Sequence, residues 1–445
     1  MNISGLYGFL MFVLINTCTV SCQSGASESR TADSELGVQT YTGVRFVQID
    51  SIMIDVIGNF NVYDYHPQSG LFLGGDIGGY LRGPNQSTKR NELGHLVINR
   101  NGEILHQFNH TDNGPEGHGG RGIDHFFLSP STIGVYSPKS LFRYNIDGTF
   151  IGKHKEINTL DPLGISFHRV GFSVDGKHIA MGMSKRMGSS EDSVYHKGRA
   201  LWFYDFGKAE NDLTTEAPAN PLLASYGFPD NPIYSQESKM HHSPLPPRMA
   251  LNRGTHELLS LYPEIPEISV YDMKSGRLKE SYPLNPKHFE FKTEKGMASG
   301  ALKGFESLAW INRGGSMANS NYQDLIQLGE YTLLRYNTAI PKSIVEEIIV
   351  SGGPKKTERW PVIRKKHYRS VYQLFKGTER VLPDFELSAL APRKEHLEFH
   401  SNASIRGKII GGNGLAEIFV FIPNNGEEER DYELIRVFKM ELVEE

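Results

Sequence analysis

The chain has 445 residues but only two cysteines, Cys18 and Cys22, both within the first 22 positions. The body that follows therefore has no disulfide, no cysteine-ligated metal and no thiol nucleophile. Long apolar runs are also missing. After Leu6–Ile15 (LYGFLMFVLI) no stretch approaches the ~20 apolar residues that a membrane-spanning helix requires. Nor is there an excess of one charge: 47 Lys and Arg against 51 Asp and Glu leave a net charge of −4. That balance argues against nucleic acid as a partner. The sequence contains no G-x-S-x-G elbow, no P-loop and no H-E-x-x-H helix, so no catalytic residue is singled out. Gly75-Asp76-Ile77-Gly78-Gly79 is rich in glycine but follows a predicted hairpin strand instead of opening a helix, and is not a phosphate cradle. No cofactor is implied.

Glycine (46), Phe (24) and Tyr (20) are plentiful. Many turns combined with aromatic strands indicate an all-β chain. The stretch from Gly94 to His154 shows the plan. Two short apolar runs are split by Asn99-Arg100-Asn101-Gly102, a Gly-rich crossing follows, and the arrangement recurs around Asn145-Ile146-Asp147-Gly148. Such turns need positive φ, which Gly, Asn and Asp tolerate. Extending the count along the chain predicts four-strand units over 61–109, 123–155, 167–226, 243–284, 322–387 and 397–442. A four-strand unit recurring every ~45–65 residues is the pattern of a β-propeller, in which each blade buries its faces against its neighbours. Six four-stranded blades are expected. Seven is the alternative, because 285–321 and 338–369 are long enough to hide strands. Val44–Ile52 is placed to join the last blade and close the ring, so that 44–445 forms one propeller domain.

The leader has its own reading. The apolar run followed by Val20-Ser21-Cys22 resembles a bacterial lipoprotein signal, in which a small residue precedes a cysteine that is diacylated. The resemblance implies a signal peptide over 1–21, a lipid (palmitate) on Cys22 and a membrane-anchored envelope protein. More than one acyl chain suffices for stable anchoring. The polar stretch Gln23–Gly43 reads as the rest of a flexible tether over 22–43. No early acidic pair follows Cys22, so the periplasmic and outer-membrane surfaces both remain open. Ordinary secretion, with both cysteines removed in the leader, is the alternative.

Within the body, Gly102-Glu103-Ile104 and Asn113-Gly114-Pro115-Glu116-Gly117 resemble blade junctions of six-bladed NHL-type propellers. Phe172–Ala180, with its Asp175-Gly176 turn, resembles a TolB-type hairpin. Leader and body together are similar to uncharacterised six-bladed propeller lipoproteins of Bacteroides and relatives, and Asp431–Ile435 matches that family's closing strand. The resemblance implies a fold and an envelope address, but no activity.

Propellers gather their innermost-strand starts at the mouth of a central channel. Here those starts are predicted to supply Asp124, His125, His168, Arg169, His241 and His242, a set able to grip an anionic or sugar-like ligand, or a metal, unless they are a chance scatter of loop histidines. A second cluster, His106, His110, Asp112, Glu116, His118, Asp124 and His125, offers metal-ligating types. Glycines separate its members and none sits at a rigid helical spacing, so the reading is a solvated crossing and no metal is expected. Lys355, Lys356, Arg359, Arg364, Lys365, Lys366 and Arg369, with Trp360 and Tyr368 among them, form a basic segment. It reads as a charged surface insertion, or as a contact for anionic headgroups or a polyanion. Three functions fit. The first is a binding module for a glycan, a small anion or an envelope protein. The second is a carbohydrate-active or metal-assisted enzyme, such as a polysaccharide lyase or hydrolase, acting at the channel mouth. The third is a structural subunit of an envelope complex. The missing nucleophile and metal motifs favour the first.

Overall fold

A computed structural model describes residues 41–56, 60–76, 94–110, 114–118, 124–137, 140–155, 166–186, 199–207, 221–230, 247–291, 319–341, 343–345, 347, 362–363, 366–387, 408–422 and 432–444. Thr40–Glu445 form one compact unit. Strand β1 (Tyr41–Ile54) comes first. Blade one follows with β2–β5 (Phe60–His66, Leu71–Asp76, His95–Ile98, Ile104–Phe108). Blade two holds β6–β9 (Asp124–Ser129, Thr132–Ser137, Ser140–Asn145, Phe150–Lys155), and blade three β10–β13 (Ser166–Ser173, His178–Arg186, Leu201–Asp205, Leu222–Tyr226). Blade four holds β14–β17 (Arg248–Asn252, Glu257–Leu261, Glu267–Asp272, Leu278–Pro283), and blade five β18–β21 (Asn321–Leu328, Tyr331–Asn337, Ser370–Lys376, Glu379–Arg380). The last blade has β22–β24 (Lys408–Gly412, Ile418–Ile422, Glu433–Glu444), with β1 as its outer strand. Among the described residues there are six sheets, each antiparallel and four-stranded. The described parts of 285–321 and 338–369 carry no seventh sheet. They hold only short helical stretches, such as 343–345.

The innermost strands β2, β6, β10, β14, β18 and β22 neighbour one another in that cyclic order, and β22 returns to β2. Alternation explains why the blades must stack. Each sheet has two apolar faces, and six large buried clusters each belong to two successive blades. One of them joins Phe127 and Tyr144 of blade two to Leu73, Val97 and Phe108 of blade one. Closure uses the same chemistry. β1 pairs with β24 from Tyr41↔Glu444 to Ile54↔Glu433. Ile52 and Ile54, 4% and 0% exposed, reach a cluster containing Phe72 of blade one and Phe419 of blade six. A single seam between the chain ends thus completes the circle.

The two glycine turns that reveal the repeat share one hydrogen-bond pattern. Asn99 N–H donates to Glu103 O and Gly102 N–H to Asn99 O, at 3.0 and 3.1 Å; Asn145 N–H donates to Thr149 O and Gly148 N–H to Asn145 O, both at 2.9 Å. Gly102 and Gly148 have φ of 84° and 88°. Each also touches the preceding blade. A Cβ on Gly102 would stand 2.0 Å from Met53 O, and one on Gly148 would stand 2.5 Å from Phe108 Cβ. Glycine is needed there for conformation and for blade-to-blade approach alike.

Candidate functional site

All six innermost strands run in the same direction, so the ring has two unlike ends. At one end, hairpin turns such as 67–70, 130–131, 174–177 and 329–330 lead from each innermost strand into its neighbour. At the other, each innermost strand begins after a crossing from the previous blade, and second strands pass to third strands through segments such as 77–94 and 338–369. These are called the turn end and the crossing end.

The axis is bridged by Asp64 and Arg253. Asp64 lies on β2 of blade one and Arg253 follows β14 of blade four, diametrically opposite. Arg253 Nη2 stands 3.8 Å from Asp64 Oδ2, and its Nη1 donates to Ser173 O of blade three at 2.6 Å. The same Asp64 oxygen accepts Phe127 N–H of blade two at 2.8 Å, while Oδ1 accepts Tyr65 N–H at 2.9 Å. Four blades therefore meet on one ion pair. Burial holds the Asp64 carboxyl above its ordinary pKa, against the opposing pull of Arg253 and the two amides. The guanidinium is lowered, again by burial, with Asp64 working the other way.

A bulge aims these groups. The pairing of β2 with β3 shifts register between Val62 and Asp64. In a regular strand Tyr63 and Asp64 would face opposite sides. Here both engage blade two: Asp64 through Phe127 N–H, and Tyr63 by stacking on His125 with centroids 4.5 Å apart. Similar shifts interrupt β6, β10, β18 and β22, whereas β14 pairs regularly. Bulges of this kind re-aim side chains next to binding sites.

His125 belongs to an imidazole nest between blades one and two. Its ring centroid lies 4.6 Å from that of His95 and 6.4 Å from that of His118, and His95 and His118 are 5.3 Å apart. His95 is 3% and His118 6% exposed, and His95 stacks on Phe108 at 5.0 Å. Burial first, and the neighbouring imidazoles second, hold His95 well below the usual histidine pKa and bring His125 to about 3. The His95 and His125 rings are neutral at physiological pH. The crossing that delivers them folds back on itself: His118 N–H donates to His110 O at 2.8 Å and Tyr144 Oη to Glu116 O at 2.7 Å.

Of the residues expected at the channel mouth, Asp124 and His125 open β6 as predicted, and both are partly exposed. His168 and Arg169 lie on β10, opposite Met183 and Gly182. The innermost strand of blade four begins at Arg248, and His241 and His242 lie outside the described residues, as does Cys22. Of the cluster of metal-ligating types, His118 and His125 share the nest, with ring centroids 6.4 Å apart. His110 turns its Nε2 to Gly148 O at 2.7 Å and stacks on Tyr144, while Glu116 is exposed and Asp112 is outside the described residues. Among the described residues, no group of three or more His, Cys, Asp or Glu side chains is disposed to hold a metal ion. Sequence reasoning missed Tyr63, Asp64, His95 and Arg253. For His95 a signal existed: it opens a strand directly after the long connection 77–94.

No family profile and no curated protein sequence matches the chain. Solved structures do. A DUF4221 member from Bacteroides vulgatus superposes with a TM-score of 0.55 at 11% identity, over 91% of this chain and 100% of that one. A Bacteroides fragilis protein designated only as exported gives a TM-score of 0.48 at 9% identity, over 90% of this chain and 95% of its own. Identities this low speak to fold alone. At that level the Bacteroides vulgatus structure supports the propeller fold that the sequence resemblance implied. Among the described residues, no helix is long and apolar enough to cross a membrane.

Proposed function

We propose that the protein is an extracytoplasmic binding module, anchored through a diacylated Cys22, that takes a glycan, small anion or envelope partner at the crossing end of its ring. The observation that carries this reading is the Asp64–Arg253 bridge, 3.8 Å long between opposite blades. It obstructs the axis from the turn side and leaves the crossing end as the approach. There Tyr63, Asp124 and His125, each partly exposed, offer an aromatic face, a carboxylate and an imidazole beside the mouth. A few convergent polar groups in a concave site are what a binding pocket requires.

The test is a glycan and metabolite screen on the full chain carrying Cys22→Ser, followed by calorimetry of the hits. Asp124→Asn should weaken a glycan hit by about tenfold, the loss of one charge-assisted contact, and His125→Gln should weaken it by less, because its imidazole is neutral. Lys153→Ala, on an outer strand, should not. A screen in which every hit is indifferent to both mouth variants would refute the site, and product formation during the screen would favour the lyase or hydrolase reading. Separately, mass spectrometry of the mature N-terminus should find acyl chains on Cys22, lost in Cys22→Ser.

A further inference from the structure

A second concave site lies at the same end of the ring but at the opposite side, against blade five. Its walls are the crossing from blade four, at 287–290, and the return of the long insertion, at 366–369. The bay has a volume of about 400 Å³ and presents Lys287, His288, Lys366, His367 and Arg369 against one carboxylate, Glu290.

Both walls are held by the blade beneath. Lys287 N–H donates to Asp384 Oδ2 at 2.7 Å and His288 N–H to Tyr336 Oη at 3.2 Å, and Tyr336 Oη itself donates to Asp384 at 2.6 Å. Asp384 is 1% exposed and also pairs with Arg380. On the other wall, Thr338 Oγ1 donates to His367 O at 2.7 Å and accepts Arg369 N–H at 2.9 Å. Arg369 meets Glu386 at 3.0 Å, which neutralises part of its charge. Lys287 and Lys366 have no carboxylate partner among the described residues. Two uncompensated ammonium groups and two imidazoles thus share a fixed, polar concavity. Such an arrangement raises the local anion concentration and suits a doubly charged oxyanion. The volume exceeds what a bare ion needs and lies in the range of small-molecule sites.

We infer that this bay binds a small, sugar-sized ligand carrying a phosphate monoester. Lys287 and Lys366 receive the phosphate, the imidazole N–H groups of His288 and His367 supply hydrogen bonds, and Glu290 sets a limit on affinity through repulsion. The site stands apart from Tyr63 and His125, so its failure would leave the blade-one mouth untouched.

The experiment is calorimetric titration of the Cys22→Ser chain with glucose 6-phosphate, inorganic phosphate and glucose, at low and moderate salt. Glucose 6-phosphate should bind, phosphate more weakly, glucose not at all, and added salt should weaken binding. Lys287→Ala with Lys366→Ala should reduce affinity by at least about tenfold, with thermal unfolding unchanged because both side chains are exposed. Glu290→Gln should tighten binding several-fold, a gain that a merely structural role would not produce. Glucose 6-phosphate binding that is absent, or equal in the double variant, overturns the assignment. So does binding to phosphatidylglycerol vesicles in place of the soluble sugar, which would move the same phosphate chemistry to a lipid surface.

Discussion

The two ends of the ring are built from the same strands but joined by different kinds of chain. At the turn end, connections such as 130–131, 174–177 and 329–330 are short, and their polar groups are satisfied locally. Asp175 Oδ1, for example, accepts Lys177 and His178 N–H at 2.9 and 2.8 Å. Only 206–221 is long there. At the crossing end, segments such as 77–94, 284–320 and 338–369 join strands whose geometry is already fixed by the blades. The turn end therefore specifies register, while the crossing end is free to vary in length and chemistry. Loops on a rigid scaffold are where binding residues concentrate. The Asp64–Arg253 bridge makes the asymmetry functional, since it occupies the axis on the side where little variation is possible.

The strongest way to break this comparison is to open the ring. Deleting β1, or placing a charge at fully buried Ile54, removes the seam on which both ends depend. Ile54→Asp should cost more than about 4 kcal/mol and abolish the cooperative transition, because an unpaired carboxylate would sit among aliphatic and aromatic side chains. Circular dichroism with urea denaturation would check it. A variant that melts like the parent would mean that closure is not shared through β1. Next in size is Arg253→Ala. It strands the Asp64 carboxylate and the Ser173 carbonyl, at a cost of about 3 kcal/mol. Asp64→Asn alone should cost less, and the double variant should fall well short of the sum of the two. Additive losses in that cycle would show that the pair does not couple opposite blades. Smaller again is Gly148→Ala, about 2 kcal/mol, from a positive φ and the close approach to Phe108. Gly377, with φ of 60° and no atom within 4 Å of its missing Cβ, should lose only the backbone part, about 1 kcal/mol, as alanine.

The difference between the ends also governs what could be read without coordinates. Turn chemistry is local. Asn99–Gly102, Asn145–Gly148 and Asp175–Gly176 therefore announced their hairpins, and the four-strand count and the closing role of Val44–Ile52 followed from them. Six blades followed from the same count, while seven stayed open because length alone cannot say whether 285–321 and 338–369 hold strands. The site was harder. Asp64 sits in the first strand of the unit predicted over 61–109, but its aim depends on a bulge that leaves no mark in the sequence. Arg253 belongs to an ordinary turn, Arg-Gly-Thr, whose partner is nearly two hundred positions away. His95 and His125 meet only because the third strand of one blade lies beside the first of the next. Asp124 and His125 were found because the start of an innermost strand is itself a local event. His168 and Arg169 occupy β10 as expected, with register shifts in its pairing on both sides of them.

Acid provides the gentlest probe of the same contrast. In an unfolded chain each imidazole takes up a proton near pH 6.5. In the native ring His125 does so only at about 3, and His66, at the turn end, at about 4, in both cases chiefly because of burial. A depressed native pKa means that the unfolded chain binds more protons below pH 6.5. These groups therefore contribute their full stability above that pH and lose it as pH falls. Each can contribute a slope of up to ~1.4 kcal/mol per pH unit. His66→Gln should remove a contribution that is exhausted by about pH 4. His125→Gln should remove one that continues towards pH 3, since the crossing-end ring is further depressed by His118. Urea midpoints measured from pH 7 to 3 would separate the two. If His125→Gln left the acid slope unchanged, the imidazole nest would have to be open to water in the native ring, and the crossing end would be a wetter and less ordered surface than its packing indicates.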